Sequence, residues 1–555
     1  MKKKVNLFRS LAAALAVTLL LAGCGGNPGP SADGSAAPGA SAAPGQSAAV
    51  SAQGPKVFRF GQAPYGDTLD MQISTGSLSA SIADEITESL LRFDDDNNEE
   101  PVLITDFPTV SEDGTVYSFE LKQGVKFTNG TELTANDVKF TFERMFTPAT
   151  GAKSFSYFSM IAGAKDMLDG KATELAGFEI QDDYHFTITL EYPFAPFVKN
   201  LGTSYADIFP QDACTEAGAN WGIDDNLIGT GPYKFQSNDP NTEAVLVKNE
   251  DYHGGEVKLD EIHVIYYSDT TTKLLAYENG DIDACDLIST QLGQYKDTYG
   301  DQITAYHPLG TCFLSLNLDV DALKDVKVRQ AISLAINRED LVQYTLDGAG
   351  IPATTYLNPA IPGHDDSLPV YEYNVDKAKQ LLAEAGYPDG LTIDGGKVRQ
   401  QEETLATAVQ GSLADAGINY VFDVVDAATW SSERSSGKLA TTFITWNALY
   451  ADADFQVYNY FYSANSGRQS VNYSNPEFDK LMDDARSDTD EAHRAELYKQ
   501  ADQILSHDDM ACIPLYYPQS QFLAKPYVKD MKVGNLIYHL WNIDIDLDAQ
   551  AAFNG

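Results

Sequence analysis

The chain has little of the chemistry that catalytic and metal sites require. Five cysteines and eight histidines are spread over 555 residues, and they form no CxxC pair or Cys/His cluster with zinc spacing. The sequence also lacks the Gly-x-Ser-x-Gly elbow, the His-Glu-x-x-His pair and the phosphate-binding Gly-Lys-Ser/Thr loop. These absences predict a protein that is not an enzyme and that holds neither a metal nor a cofactor.

Positive charge is scarce as well. Lys and Arg together number 38 against 80 Asp and Glu, which gives a formal net charge of −42. Nucleic-acid binding needs a cationic surface that displaces counterions, so this charge balance argues against a nucleic-acid partner. The acidity fits a soluble surface facing water and does not define a ligand.

The N-terminal apolar run covers only residues 11–21, which is too short to span a membrane. Lys2, Lys3, Lys4 and Arg9 precede it, so residues 1–23 are predicted to be an export signal. The run ends in Leu-Ala-Gly followed by Cys24, which resembles the lipobox of bacterial lipoproteins. In that family the cysteine thiol carries a diacylglycerol, so we expect Cys24 to anchor the mature chain to a membrane.

Residues 24–55 are predicted to be a tether. Of the 31 residues from 25 to 55, 26 are Gly, Ala, Ser or Pro, a composition that forms no packed core. A flexible chain of this length spans roughly 30 Å. We expect an extracytoplasmic protein on the outer face of the membrane of a Gram-positive cell, or on the periplasmic side in a Gram-negative one.

The remaining chain alternates strand and helix patterns, which predicts a mixed α/β fold. In residues 115–146 the apolar spacing predicts a strand, a turn at 122–124, a second strand at 125–127, and a helix capped by Thr134 with Asp137 in its first turn. The alternation in residues 543–548 predicts a final strand.

The wording VYSFELKQGVKFTNGTELTANDVKFTFERM at 116–145 resembles the hallmark segment of family 5 solute-binding proteins. These are receptors of peptide and nickel ABC importers. Further matches follow in order along the chain: IGTGPYKF at 228–235, YENGDIDACD at 277–286, DVKVRQAISLAINREDLV at 325–342, VDKAKQLLAEAGYPDG at 375–390, SNPEFDKLMDDA at 474–485 and CIPLYY at 512–517. Helix stripes and caps explain most of these segments, so we interpret them as scaffold.

The resemblance implies a periplasmic-binding-protein type II fold with two lobes, a hinge, and an extra domain inserted in the first lobe. The expected boundaries are 56–90 with 205–310 and 516–555 for lobe I, 91–204 for the inserted domain, and 311–515 for lobe II. A monomer of this kind closes on an oligopeptide or related solute and delivers it to the membrane subunits of an ABC permease.

The resemblance also places a ligand wall at a segment similar to Trp-x-x-Asp-x-x-Asp-Pro, whose first Asp pairs with the amine of a bound peptide. Trp446 and Asp452 match this pattern, but Leu449 holds the amine-pairing position and Ala453 the proline position. Losing one member of a buried charge pair costs about 2–5 kcal/mol. Either the ligand has no free α-amine at this place, or Asp452 or Asp454 supplies the anion.

The predicted ligand-binding residues come from three regions. The wall segment contributes Trp446, Leu449, Tyr450, Asp452 and Asp454. Other candidates are Arg399 and Lys397 as partners of a ligand carboxylate, with Arg468 weaker, and in lobe I Tyr65, Leu78 and the neighbouring Gly76 and Ser77.

Three questions stay open at this stage. Cys214, Cys285, Cys312 and Cys512 allow three disulfide pairings, and spacing does not choose among them. The protein is alternatively a ligand-sensing lipoprotein that signals through a membrane partner, or a binder of a metal chelate or other non-peptide solute. A secreted hydrolase is a third hypothesis, which the absent catalytic motifs disfavour.

Overall fold

Two large β-sheets organise the described chain. The computed structural model describes residues 54–554, apart from 95, 289–290, 370 and 535–536. The predicted export signal, lipid site at Cys24 and tether therefore lie outside the described residues, except for the last two tether positions.

The first sheet has seven strands. Its central strand, Val57–Gln62, is parallel to both of its neighbours. In spatial order the strands are Ile303–Tyr306, Ser520–Ala524, Ala284–Leu287, Val57–Gln62, Glu261–Tyr266, Glu243–Lys248 and Tyr233–Asp239. The helices Ser77–Ala83, Thr270–Asn279 and Leu292–Tyr299 belong to this part of the chain.

The second sheet has six strands with helices on both faces, and a hydrophobic cluster lies on each side of it. In spatial order the strands are Gly350–Pro352, Cys512–Pro518, Gly310–Leu316, Thr441–Asn447, Leu391–Arg399 and Ile418–Val425. The helices are Val326–Ala335, Arg338–Thr345, Val375–Glu384, Glu403–Asp415, Ala427–Ser435, Ala453–Phe461, Ser463–Ser466, Pro476–Ser487 and Glu491–Gln503. The expected lobe boundary between 515 and 516 falls inside the strand Cys512–Pro518.

Two short crossovers join the sheets. Residues 307–309 connect the strand ending at Tyr306 to the strand beginning at Gly310, and residue 519 alone connects Pro518 to Ser520. Tyr306 and Ser520 pair across the first sheet, so the two crossovers run side by side. A rotation of one sheet against the other needs backbone changes in these few residues.

The segment before the first crossover carries its own four-stranded sheet, ordered Thr109–Val110, Val116–Glu120, His185–Thr189 and Phe178–Ile180. Leu91–Phe93 and Glu99–Pro101 form a separate hairpin. The helices here are Ala135–Phe146, Ala164–Leu168, Phe197–Asn200 and Gln211–Ala217. The predicted cap is confirmed, because the Thr134 backbone N–H donates to Asp137 at 2.9 Å. The predicted strand at 125–127 is wrong: only the bridge between Lys126 and Glu132 forms there.

The sequence motifs hold the frame together. In IGTGPYKF, a Cβ on Gly229 would lie 2.1 Å from the Ile86 carbonyl oxygen, so only glycine allows this approach. The Gly231 N–H donates to the same carbonyl at 2.9 Å, and the Tyr233 N–H donates to the Glu85 backbone carbonyl at 2.9 Å. The motif thereby fixes the backbone of residues 85–86.

The C-terminal prediction is wrong in part. Asp544–Ile545 is a two-residue strand paired with Val528–Lys529, and Val533–Gly534 pairs with Ile537–Tyr538. The helix Leu547–Asn554 then replaces the expected continuation. Asp546 accepts a hydrogen bond from the Ala549 N–H at 2.9 Å, so this aspartate caps a helix instead of extending the strand.

Within the described ranges, Cys214, Cys285, Cys312 and Cys512 are buried free thiols. Burial raises the pKa of Cys312 to about 11, which keeps its thiol protonated and unreactive at neutral pH. The part of the chain that the structure describes contains no helix long and apolar enough to cross a bilayer. It also brings together no group of three His, Cys, Asp or Glu side chains suited to a metal ion.

Candidate ligand-binding cavity

A cavity of about 310 Å³ is lined from both sides of the crossovers. The first-sheet side contributes residues between 71 and 84 and between 537 and 541, and the inserted segment contributes residues between 92 and 97 and between 202 and 205. Residues 447–449, at the end of the strand Thr441–Asn447, form the opposite wall. A ligand here contacts both sheets at once.

The second-sheet wall is largely apolar. Ala448 is buried, and the Leu449 side chain packs against the hydrophobic clusters of both sides. Asn447 is the polar member of this wall, and its Oδ1 is a buried atom without a hydrogen-bond partner in the described structure. This wall offers an uncharged acceptor and no carboxylate.

The first-sheet wall carries Asp84, which directly follows the helix Ser77–Ala83 and forms its C-terminal cap. Its Oδ1 is buried and has no hydrogen-bond partner in the described structure. Burial raises the pKa of Asp84 to about 6, although the Ser204 hydroxyl and the His539 imidazole act to lower it. The carboxylate also sits at the negative end of the helix dipole, where an anion is disfavoured.

Arg92 lines the cavity too, but its guanidinium is ion-paired with Glu100 across the hairpin. The same guanidinium lies 5.8 Å from the ring centre of Trp541, which also borders the cavity. The charge of Arg92 is therefore already balanced by a carboxylate. The ion pairs of the described residues include none for Asp84.

A smaller cavity of about 50 Å³ continues behind Asp84. Asp207 lies there and accepts hydrogen bonds from Thr87 at 2.6 Å and Ser89 at 2.9 Å. Burial and then the nearby charge of Asp84 raise the pKa of Asp207 well above its usual range. Glu88, in contact with His253 at 2.7 Å, completes an acidic region on this side of the cleft.

Of the predicted ligand residues, Leu449, Gly76 and Ser77 line the cavity. Leu78 and Ser77 border another cavity of about 400 Å³, together with Tyr306 and Ser520, the strand residues that flank the crossovers. Tyr65 is buried in the first-sheet unit, where its hydroxyl accepts a hydrogen bond from Asn238 at 2.8 Å. Ligand contact by Tyr65 stays a prediction that its position does not favour.

The residues after Leu449 turn away from the cavity and tie the second sheet to the inserted segment. The Tyr450 hydroxyl donates to Asn200 Oδ1 at 2.6 Å. Asp452 is 3% exposed in its side chain and lies 2.8 Å from Arg494 and 3.4 Å from Lys199. The Tyr450 and Asp452 side chains, which the sequence predicted to contact the ligand, are therefore already engaged within the protein.

Asp454 and Trp446 are also engaged inside the protein. Asp454 lies 3.0 Å from Arg486, and burial raises its pKa to about 6. The Trp446 indole N–H donates to the Phe455 carbonyl at 3.4 Å, and its ring lies 5.5 Å from that of Tyr460. The suggestion that Asp452 or Asp454 replaces the amine anchor therefore requires breaking an existing ion pair.

The predicted carboxylate partners lie elsewhere on the second sheet. Arg399 pairs with Glu402 and stacks 4.4 Å from the ring centre of Trp430. Lys397 pairs with Asp423 at 2.6 Å, and Arg468 donates to Asn465. Each of these cations already has a local partner, and none lines the cavity.

Sequence reasoning missed Asp84, Arg92 and Asn447. Asn447 adjoins the recognised wall segment by one position, so counting along the strand from Trp446 would have included it. Asp84 carried one readable signal: an acid directly after the small-residue helix SLSASIA, where the helix dipole disfavours negative charge.

Two sheets joined by paired crossovers, with a cavity lined from both, define a two-lobed binding protein. A sequence profile described as "Bacterial extracellular solute-binding proteins, family 5 Middle" matches residues 98–468. The chain belongs to this family, and its fold is that of the type II periplasmic binding proteins.

Known relatives differ in the ligands that their names state. Heme-binding protein A of Haemophilus influenzae is 29% identical over 496 residues, covering 85% of this chain and 89% of that protein. The dipeptide-binding protein of Escherichia coli is 27% identical over 465 residues, covering 79% and 84%. The solved Helicobacter pylori DppA, an ABC transporter-associated binding protein in complex with the peptide STSA, is 28% identical with a TM-score of 0.73, covering 88% of this chain and 98% of that one.

Proposed function

We propose that this extracellular solute-binding protein captures an oligopeptide or a related peptide solute between its two sheets and delivers it to an ABC permease. The observation that carries the proposal is the cavity lined by both sheets and by the inserted segment. A ligand in this place makes contacts that are available together only when the sheets are close. It therefore shifts the population towards the closed form, which the permease recognises.

The choice of a peptide over other solutes rests on the relatives. A dipeptide-binding protein and a peptide-bound DppA are among them, while a heme-binding protein is another. The described residues bring together no three side chains suited to bind a metal ion. We therefore expect a metal to be bound only as a chelate held through its organic part. A sensing role has no observation in its favour.

The test of the solute class is direct. The full chain is purified without denaturation, and the small molecules released from it by acid are identified by mass spectrometry. We expect short peptides. Release of a porphyrin or another non-peptide chelate as the main species would contradict the peptide assignment while leaving the binding role intact.

We further propose that Cys24 carries the lipid anchor and that residues 24–55 act as the tether. The support is the basic start, the short apolar run and the lipobox-like ending of residues 1–24. Cys24→Ser is expected to release the protein into the medium or to leave unprocessed precursor. Mature, membrane-bound protein in unchanged amount would refute the lipid site.

A further inference from the structure

Two residues that line the ligand cavity from opposite walls each carry a buried acceptor oxygen without a hydrogen-bond partner in the described structure. Asp84 Oδ1 belongs to the first-sheet wall and Asn447 Oδ1 to the second-sheet wall, and both are buried without a hydrogen bond in the described structure. A buried polar atom left unbonded costs free energy and calls for an explanation. Because both residues line the cavity, the donors of a ligand bound there lie next to these two side chains.

The charge around the cavity points to the nature of that donor. The ion pairs of the described residues do not include Asp84, whereas Arg92, the arginine that lines the same cavity, is paired with Glu100. The position of Asp84 at a helix C-terminus adds to the unfavourable negative potential. Asp84 therefore gives this wall a carboxyl group without an ion-pair partner, and an ammonium or guanidinium group neutralises its carboxylate form.

The neighbouring acids do not compete for this role. Asp452 is held by Arg494 and Lys199, and Asp454 by Arg486. Leu449, at the position where the family motif has an aspartate, brings no charge. The anion that the second-sheet wall lacks is therefore present on the first-sheet wall.

We propose that Asp84 anchors the cationic group of the ligand from the first-sheet wall, with the Asn447 amide oxygen as a second acceptor on the opposite wall. The inference rests on the proposed function and specifies its substrate class: peptides that present an ammonium or guanidinium group to this corner of the cavity. The cation comes either from the free α-amine or from a basic side chain.

The test measures Kd for four synthetic tripeptides with the full chain. The probes are Lys-Ala-Ala and norleucine-Ala-Ala, each with a free or an acetylated N-terminus, so side-chain charge and α-amine vary separately. The variants are Asp84→Asn, which keeps the shape of the side chain, and Asp225→Asn, a control at an exposed acid that does not line the cavity. The peptides form two kinds of pair, which differ either in the side-chain charge or in the α-amine. In the pair that differs in the recognised charge, we expect the wild type to bind the cationic peptide about 30-fold or more tightly.

Asp84→Asn should lose at least tenfold of that preference, while Asp225→Asn keeps it. Loss of the preference on acetylation assigns the cation to the α-amine, and loss on replacing lysine by norleucine assigns it to the side chain. An equal preference in Asp84→Asn and wild type, or no preference in the wild type, overturns the inference. If the wild type binds none of the four peptides, both the peptide assignment and the inference fail. This outcome differs from the two above, in which the peptides bind and only the inference fails.

A folding control accompanies these measurements. Asp84→Asn should melt no lower than the wild type at pH 7.5, because it removes a buried charge without a paired cation. Asp84→Ser provides a second test of the same loss if the asparagine variant melts lower.

Discussion

Asp84, which is half-buried, and Asp452, which is buried, lie on opposite sides of the crossovers and differ in what balances their charge. Asp452 lies against Arg494 and Lys199, whereas the ion pairs of the described residues leave Asp84 out and burial raises its pKa to about 6. A carboxylate already paired within the protein is part of the frame. A carboxylate left unpaired beside a cavity is available to a ligand.

The two aspartates are expected to have opposite effects on the stability of the folded chain. The raised pKa of Asp84 means that its contribution to folding is fully present below the pKa of the unfolded chain and is lost as the pH rises through about 6. At neutral pH the charged Asp84 therefore opposes folding. Asp452, with two cations around it, is expected to support folding under the same conditions.

The largest effect is expected from breaking the paired member. Asp452→Ala leaves Arg494 buried without its carboxylate, and such a loss costs about 3–5 kcal/mol of the free energy of unfolding. Urea denaturation of the full chain measures it, with the exposed Asp225→Ala as the matched control. A loss below about 1 kcal/mol would show that the ion pair contributes little, and the contrast with Asp84 would then fail.

The second prediction moves the anion from one wall to the other. Leu449→Asp in an Asp84→Asn background restores a carboxylate to the same cavity, so the cation preference lost in Asp84→Asn should return. The expected recovery is about 2–5 kcal/mol, or roughly 30-fold to several-thousand-fold in Kd. Leu449→Asn in the same background is the uncharged control. Full recovery with Leu449→Asn would show that hydrogen bonding, not charge, decides the preference.

These contrasts also explain what the sequence predicted well. Helix stripes and caps depend on neighbours along the chain, and they are confirmed: Asn337 accepts from the Asp340 N–H at 3.2 Å, and Gly386 adopts the expected left-handed conformation with φ of +96°. The family motifs follow the same local logic, which is why the fold was predictable.

The partners of the acids were not predictable, because they come from distant parts of the chain. Asp452 meets Arg494 from 42 positions away and Lys199 from 253 positions away. A motif position shows that an acid is present near the wall but not whether a cation elsewhere neutralises it. Asp84 lies outside the motif, and its place in the cavity wall depends on the fold rather than on its neighbours along the chain.

The third prediction is a pH dependence of cation binding. Asp84 must be ionised to pair with a cation, so lowering the pH through about 6 should weaken Kd for the preferred tripeptide by up to about tenfold per pH unit. The other titratable and charged groups near Asp84 are His539, Asp207, Glu85, Glu88 and Arg92.

His539 also lines the cavity, so any charge on its imidazole acts on the same ligand cation. The His539→Gln variant separates the two contributions: the dependence persists if Asp84 causes it. In Asp84→Asn the profile should flatten between pH 7.5 and 5. A wild-type profile that is flat over this range would contradict the assignment of the cation to Asp84.

The smallest expected effect concerns the tie beside the cavity rather than the charge within it. Tyr450→Phe removes the hydrogen bond to Asn200 that joins the second sheet to the inserted segment, a bond that contributes about 0.5–1.5 kcal/mol. Because the two residues lie on opposite sides of the crossovers, the loss should favour the open form, with a slightly larger radius of gyration in X-ray scattering and a Kd weakened by about two- to tenfold. Tyr344→Phe, at an exposed tyrosine, is the matched control. A weaker Kd with an unchanged radius in the ligand-free protein would instead assign Tyr450 to the support of the Leu449 wall.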